Sequence, residues 1–361
     1  MSEGCRGCGA SALSRVLDLG SVPVAKYFPP VEAPVGAAES GSPLAMDLCP
    51  SCGLAQLADD NTISDEPRGL EPQALKDQAA QAVAAVEAAG WLRGDTVREF
   101  GSPHGGTWLP LLTGGRGFQN TAGPADVVLD SFGIMHDPDQ RAAFTRRAAA
   151  TAPGGALLLH YHSLLTIVSQ GQWNSLRDGH FAYYSMTALM RLLAAAGMRV
   201  VTAWEFDLYG GTVLAAAVHG TGVDRDESVD RILDAETRYG ITDPAVVGTL
   251  QRSADRHTKA LRDWLEAEAA AGREVMAYGA ASRAVSLFSR AGLNSTLLRA
   301  VADASPAKQG RRMPATDIPI VSPDEMVAAK PDRVLLTIPD LLAEVSANYP
   351  ELDGRWLVDV Q

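Results

Sequence analysis

The sequence predicts an α/β protein in which a small four-cysteine module precedes two open, mostly parallel sheets. Three observations predict it. All four cysteines fall in two CxxC pairs, Cys5–Cys8 and Cys49–Cys52. Short apolar runs alternate with helical-period segments between Val97 and residue 220, the signature of strands joined by crossover helices. After a polar, acidic stretch from Gly222 to Thr258, the same alternation restarts at Glu274. The expected units are 1–60, 61–220 and 221–361.

A chain of 361 residues is long enough for that division. Its composition, 46% hydrophobic and 20% charged, is that of an ordinary folded protein. The formal net charge of −12 argues against a general nucleic-acid binder, which needs a positive surface for phosphates. A local basic pocket for one phosphorylated ligand stays compatible with it. The opening MSEGCRGCGA has no apolar h-region, and no run reaches eighteen apolar residues. A cytoplasmic protein without a membrane span is therefore expected.

In the first unit, a two-residue spacer lets both thiolates of a pair turn toward one metal. Two such knuckles complete a tetrahedral sulfur shell for structural zinc through Cys5, Cys8, Cys49 and Cys52. Gly9 and Gly53 follow the knuckles and suit their turns. Disulfides are disfavoured in a cytosolic chain, and neither pair precedes a thioredoxin-like helix. A shell of four thiolates leaves no open position for a catalytic water.

The second unit opens with a helix over Gln73–Gly90. The strand Val97–Phe100 then runs into Gly101, with Pro103, Gly105 and Gly106 in the turn beyond. Such a junction presents backbone N–H groups to a ligand outside the carboxyl ends of the strands. Further strands are expected at Ala125–Asp130 and over ALLLHYHS, then an irregular span and a helix starting at Ser185. Two strands around Tyr209-Gly210-Gly211 read as an antiparallel edge hairpin, a feature of methyltransferase sheets rather than dinucleotide-binding ones. Between the turn and Ala125 there is no room for a full second strand and helix. Gly117–Thr121 is either a vestigial strand, or the strand has been lost. No ribose carboxylate stands out. Asp130 and His136 are the nearest polar candidates for the adenosine end of a cofactor. His160 and His162 are expected on opposite faces of their strand, so only one lines a pocket, and His162 at the strand's end is the better choice.

In the third unit, helices are expected at ESVDRILDAETRYG and Leu261–Gly272. Strands follow at Glu274–Gly279, Leu297–Asp303, DRVLLTIP and GRWLVDV. The first turn, GAASR, lacks the three-glycine dinucleotide fingerprint. Lys308, Arg311 and Arg312 cluster in the loop after a strand, where they either neutralise a diphosphate or form a solvated basic loop.

The segments CRGCG, LDLGSVPVAKYFP, CPSCGL, EFGSPHGG, DSFGIMHDPD, APGGALLLHYH, GHFAYYS, YGGTV, AYGAASRAVSLFSRAG and VADASPAKQGRRMP together resemble the sugar C-methyltransferases of antibiotic deoxysugar biosynthesis. The resemblance spans nearly the whole chain. It implies a zinc module, a class I methyltransferase core using S-adenosylmethionine, and a C-terminal Rossmann-like domain. The implied substrate is a TDP-linked 4-keto-deoxyhexose, methylated beside the ketone. Glu99, Gly101, Ser102, Pro103, His104 and Gly105 match the family's cofactor segment. His180 is the candidate base for enolate formation, Asp178 a possible orienter of it, and Tyr183 and Tyr184 candidates for the enolate oxygen or for stacking. Tyr209, in the YGGTV match, is expected at the substrate. The family's glutamate beside the base is replaced here by Gly179. A branch of aureolic-acid pathways combines C-methylation with ketoreduction, so NADPH-dependent ketoreduction and a degenerate binding member are the alternative readings.

Overall fold

The computed structural model describes residues 4–25, 27–36, 39, 41–59, 71–103, 106–220, 222 and 224–359. His104 and Gly105 of the expected cofactor segment lie outside the described residues.

Strands β1 (Ser14–Val22), β2 (Ser42–Leu48) and β3 (Ala55–Leu57) form an antiparallel sheet that carries the cysteine knuckles at its end. Helix α1 (Gln73–Ala88) follows, with Ala79, Ala82, Val83 and Val86 buried at helical spacing against the next sheet.

The central unit runs β4 (Thr96–Phe100), α2 (Leu109–Thr113), β5 (Gln119–Asn120), β6 (Ala125–Ser131), α3 (Gln140–Ala150), β7 (Thr151–His162) and α4 (Leu164–Ser169). It continues with β8 (Ala182–Tyr183), α5 (Met186–Ala195), β9 (Met198–Phe206) and β10 (Thr212–His219). The sheet order is β5-β4-β6-β7-β10-β9. The first four strands are parallel, and β10 inserts antiparallel between β7 and β9. The edge hairpin is thus present. Strand β5 is two exposed residues paired with the start of β4, so a vestige of the second strand persists and its crossover helix is the five-residue α2. Ser185 caps α5 by accepting from the Ala188 N–H, where the sequence placed the helix start.

Helices α6 (Glu227–Tyr239), α7 (Pro244–Val247) and α8 (Thr249–Ala270) lead to β11 (Val275–Tyr278) and α9 (Ser282–Arg290). After these come β12 (Val301–Ala302), β13 (Ile320–Val321), α10 (Pro323–Ala329), β14 (Arg333–Leu336), α11 (Leu342–Asn348) and β15 (Trp356–Val358). The third sheet, β13-β12-β11-β14-β15, is parallel throughout. Helix α8 begins well before the expected Leu261. Its first half buries Leu250, Ala254 and His257 at helical spacing, a stripe masked in sequence by the arginines and aspartates around it.

Strand β8 lies in the middle of the chain yet pairs with β3, so the cysteine module's sheet ends on a piece of the central unit. One apolar cluster runs from Cys5 through the central sheet to Leu335 and fuses the units into a single body.

Candidate active site and metal centre

The knuckle turns close through Gly9 and Gly53, whose N–H groups donate to the carbonyls of Cys5 and Cys49 at 2.8 Å, both glycines at positive φ. This brings the four sulfurs within 4.8 Å of one another. The closest pairs, Cys5–Cys52 and Cys8–Cys49, stand 3.5 and 3.6 Å apart. Sulfurs about 2.3 Å from a tetrahedral zinc would be about 3.8 Å apart, so the residues fit the ion, and no disulfide joins them.

The carboxyl ends of β4, β6 and β7 open into one cleft. One of its walls is the Glu99–Pro103 segment with Trp108, Ser131 and Phe132. The Glu99 carboxylate accepts from the Trp108 N–H at 2.7 Å and from the Thr107 hydroxyl, fixing the turn into α2. A Cβ added at Gly101 would meet nothing within 4 Å, so this glycine leaves open the space that a side chain would fill. Phe132 sits at φ 56, a conformation costly for an aromatic residue, and lays its ring 4.2 Å from the His160 ring. An open glycine, exposed backbone and aromatic faces fit S-adenosylmethionine.

His180 lies on the opposite wall. It is buried, lines the cleft, and follows Gly179 at φ 76, a turn geometry that disfavours any residue with a Cβ. The segment is held from several sides. The Phe181 N–H donates to the Met135 carbonyl at 2.7 Å, and the Leu57 N–H from β3 donates to the Phe181 carbonyl. Arg6, inside the first knuckle, places its guanidinium over the Phe181 ring. Upstream, the Trp173 indole donates to His257, which in turn donates to Asp359 at 2.7 Å.

The same wall carries two arginines that sequence reasoning missed. Arg177 donates to the Ser282 hydroxyl at 2.7 Å, and its Nε is buried without a partner. Arg283, from the first turn of the C-terminal sheet, lies over the Tyr209 ring. Burial, with the like charge of Arg177, pushes Arg283 down to about 10. Lys308 reaches the cleft too, donating to the Ala280 carbonyl at 2.8 Å. The only sequence signal for Arg283 was its place in the GAASR turn, since a lone arginine carries no motif.

Of the expected site residues, Glu99, Gly101, Ser102, Pro103, His162, His180, Tyr183, Tyr184, Tyr209 and Lys308 line this cleft. Others are placed differently. Asp130 is engaged inside the core: it pairs with Arg147 at 2.8 Å and accepts from the Gly133 and Ile134 N–H groups, so it does not face an adenosine. Burial pushes its carboxyl up against the pull of Arg147. His136 turns to the segment of His180 rather than toward the Glu99–Pro103 wall, donating from Nδ1 to the Gly179 carbonyl at 2.8 Å with its ring edge-on to His180. Asp178 is buried and does not line the cleft. The Tyr183 hydroxyl accepts from the Arg177 N–H and donates to the Ser175 carbonyl, and that of Tyr184 donates to Gln140. Both hydroxyls are thus committed to protein partners. Arg311 donates to the Phe28 and Ala307 carbonyls, gripping the first unit with Arg312, which pairs with Glu39. His160 and His162 leave β7 on the same face, as positions two apart must; His160 is sealed beneath Gln78, Ser131 and Phe132 while His162 reaches the cleft.

Comparison with known proteins follows the same division. Residues 5–63 match a family described as "putative zinc binding domain", 47–203 one described as a methyltransferase domain, and 207–360 one described as a C-methyltransferase C-terminal domain. The C-methyltransferase NovU of Streptomyces niveus is 25% identical over 399 aligned residues, covering 99% of this chain and 95% of its own. Among solved structures, the mitomycin 7-O-methyltransferase MmcR is 16% identical with a TM-score of 0.33, over 40% of this chain and about half (53%) of its own. Magnesium protoporphyrin IX methyltransferase from Synechocystis PCC 6803 is 13% identical with a TM-score of 0.31, over 41% of this chain and 84% of its own. Both likenesses are too slight to carry an argument about function. Among the described residues, no helix is long and apolar enough to cross a membrane.

Proposed function

Since this chain is an S-adenosylmethionine-dependent C-methyltransferase, we propose that its acceptor is a TDP-linked 4-keto-deoxyhexose, methylated at the carbon beside the ketone through an enolate. The observation that carries this reading is the meeting, in one cleft, of a glycine-lined donor wall, a buried histidine and two neighbouring arginines. The bound donor supplies a methyl group already activated by its sulfonium charge. The chain's own task is then positioning and proton removal. Glu99–Pro103, Ser131 and Phe132 hold the donor. Arg177 and Arg283 hold the diphosphate, with Lys308, which also pairs with Asp303 at 3.4 Å, at its edge. His180 takes the α-proton: the C–H pair passes into the enolate and the proton to the imidazole. His136, edge-on to that ring, keeps it oriented.

This step is separable from methyl transfer. Incubated in heavy water with thymidine diphosphate-4-keto-6-deoxyglucose and no donor, the protein should exchange hydrogen for deuterium at the carbon beside the ketone. His180→Asn should slow that exchange by about 10²–10⁴-fold. Exchange that is absent, or indifferent to the substitution, refutes the assignment. NADPH-dependent ketoreduction in the same cleft would instead require thermal stabilisation by NADPH, and nothing in the Gly279–Arg283 turn favours it.

A further inference from the structure

His162 ends β7 with its ring buried at 9% exposure and lines the cleft. The ring's Nε2 is buried without a partner, and the ring's neighbour is the Tyr209 carbonyl, an acceptor suited to an Nδ1–H. That carbonyl is fixed in place. Tyr209 sits at φ 55, its N–H donates to Asp340 at 2.9 Å, and the Gln172 amide donates to the same oxygen at 2.9 Å. A nitrogen lone pair is therefore held at the cleft by a strained turn clamped to the C-terminal unit.

We propose that His162 is a specificity-determining residue that works only as a hydrogen-bond acceptor, presenting its Nε2 lone pair to a hydroxyl of the ligand seated beside Arg177 and Arg283. The inference rests on the sugar-nucleotide reading for the identity of that ligand, but not for the state of the imidazole. The charged groups facing the ring are Arg283 on α9 and Arg177 on the turn before His180, with His160 on its own strand. Burial first, then these two cations, drives its pKa well below the usual histidine value. The lone pair thus stays available through the physiological range. An acceptor so protected distinguishes a ligand with an O–H at that position from its deoxy or O-methyl counterpart, because a buried acceptor left unpaired costs binding.

Two measurements on the full zinc-loaded chain test this. In ¹⁵N-histidine NMR, with the signal assigned by its loss in His162→Gln, Nδ1 should be protonated and Nε2 unprotonated at both about pH 7.5 and about pH 5.5. An Nε2–H tautomer, or an imidazolium at the lower pH, overturns the proposal whatever the substrate. In calorimetric titration with thymidine diphosphate-4-keto-6-deoxyglucose, His162→Phe should bind about 10- to 100-fold more weakly. His162→Gln, whose amide oxygen can replace the acceptor, should recover most of that loss, and S-adenosylmethionine affinity should not change. Equal affinity of wild type and His162→Phe overturns the hydroxyl contact. A wild-type chain that ignores the sugar nucleotide refutes the substrate reading, and the tautomer then decides the proposal.

Discussion

The two walls of the cleft are built by different means. The donor wall is local: one strand–turn–helix junction, Phe100 to Trp108, held by a single carboxylate from Glu99 and shaped by what Gly101 omits. The opposite wall is assembled from all three units. β3 pairs with the strand after His180, Arg177 reaches Ser282, and Trp173 is tied through His257 to Asp359 near the chain's end. Charge divides along the same line. The carboxylates lining the cleft, Glu71 and Glu99, belong to the donor side, and its cations Arg177, Arg283 and Lys308 to the other. A sulfonium donor and a diphosphate acceptor can thus be attracted to different places in one cavity. The lesson is that one wall is written in a single local motif, whereas the other needs the tertiary structure.

If that contrast is right, the two walls should fail separately. The largest effect comes from the metal centre. Zinc in such a shell contributes on the order of ten kcal/mol to folding, so a chelator or Cys49→Ser should unfold the cysteine module and release β8. Hydrogen exchange should rise sharply over 177–184 and stay low in the core of β4 and β6. Unchanged protection of the His180 segment would break the comparison. Next, a Cβ at Gly101 meets nothing within 4 Å, so Gly101→Leu should fold normally and lose S-adenosylmethionine affinity by about 100-fold by calorimetry, while the sugar nucleotide still binds. Retained donor affinity would show that the cradle lies elsewhere. The reciprocal variant, Arg283→Met, should weaken sugar-nucleotide binding by about 10- to 30-fold and flatten its salt dependence, leaving the donor unaffected.

The smallest effect is on acid stability. Burial lowers His160 to about 3 and lowers His162 as well. Below the ordinary histidine pKa near 6.5 the unfolded chain takes up protons that the folded chain refuses. Stability is therefore full above that value and falls as the pH drops toward about 3. For His160 the loss should reach about 2 kcal/mol by about pH 5. Chemical denaturation across this range checks it, and His160→Phe should lessen the slope if it folds. No change in slope would mean that His160 is not kept neutral by the fold.

Much of the architecture was legible in local pattern. Two CxxC pairs can close on one ion because the spacer sets the sulfur geometry. Alternating periodicity gave the strands of both parallel sheets, and Ser185 marked the start of α5. Cleft-lining positions were legible where a backbone feature marked them, as at Gly101, or where a histidine stood in an irregular polar span, as at His180. Side-chain commitments were not. Asp130, Tyr183 and Tyr184 looked available in sequence, but folding gives each a partner that no local period announces: Arg147, Ser175 and Gln140. Arg283, from the unit of a different sheet, gave no signal beyond its place in the GAASR turn.

The sequence by itself determined which elements form, because strand and helix periods, caps and knuckle spacings are properties of neighbouring residues. Only the tertiary structure decided which polar groups remain for a ligand. That depends on partners brought together across more than a hundred residues, as when Trp173 and Ser282 come to flank the turn that carries Arg177 and His180.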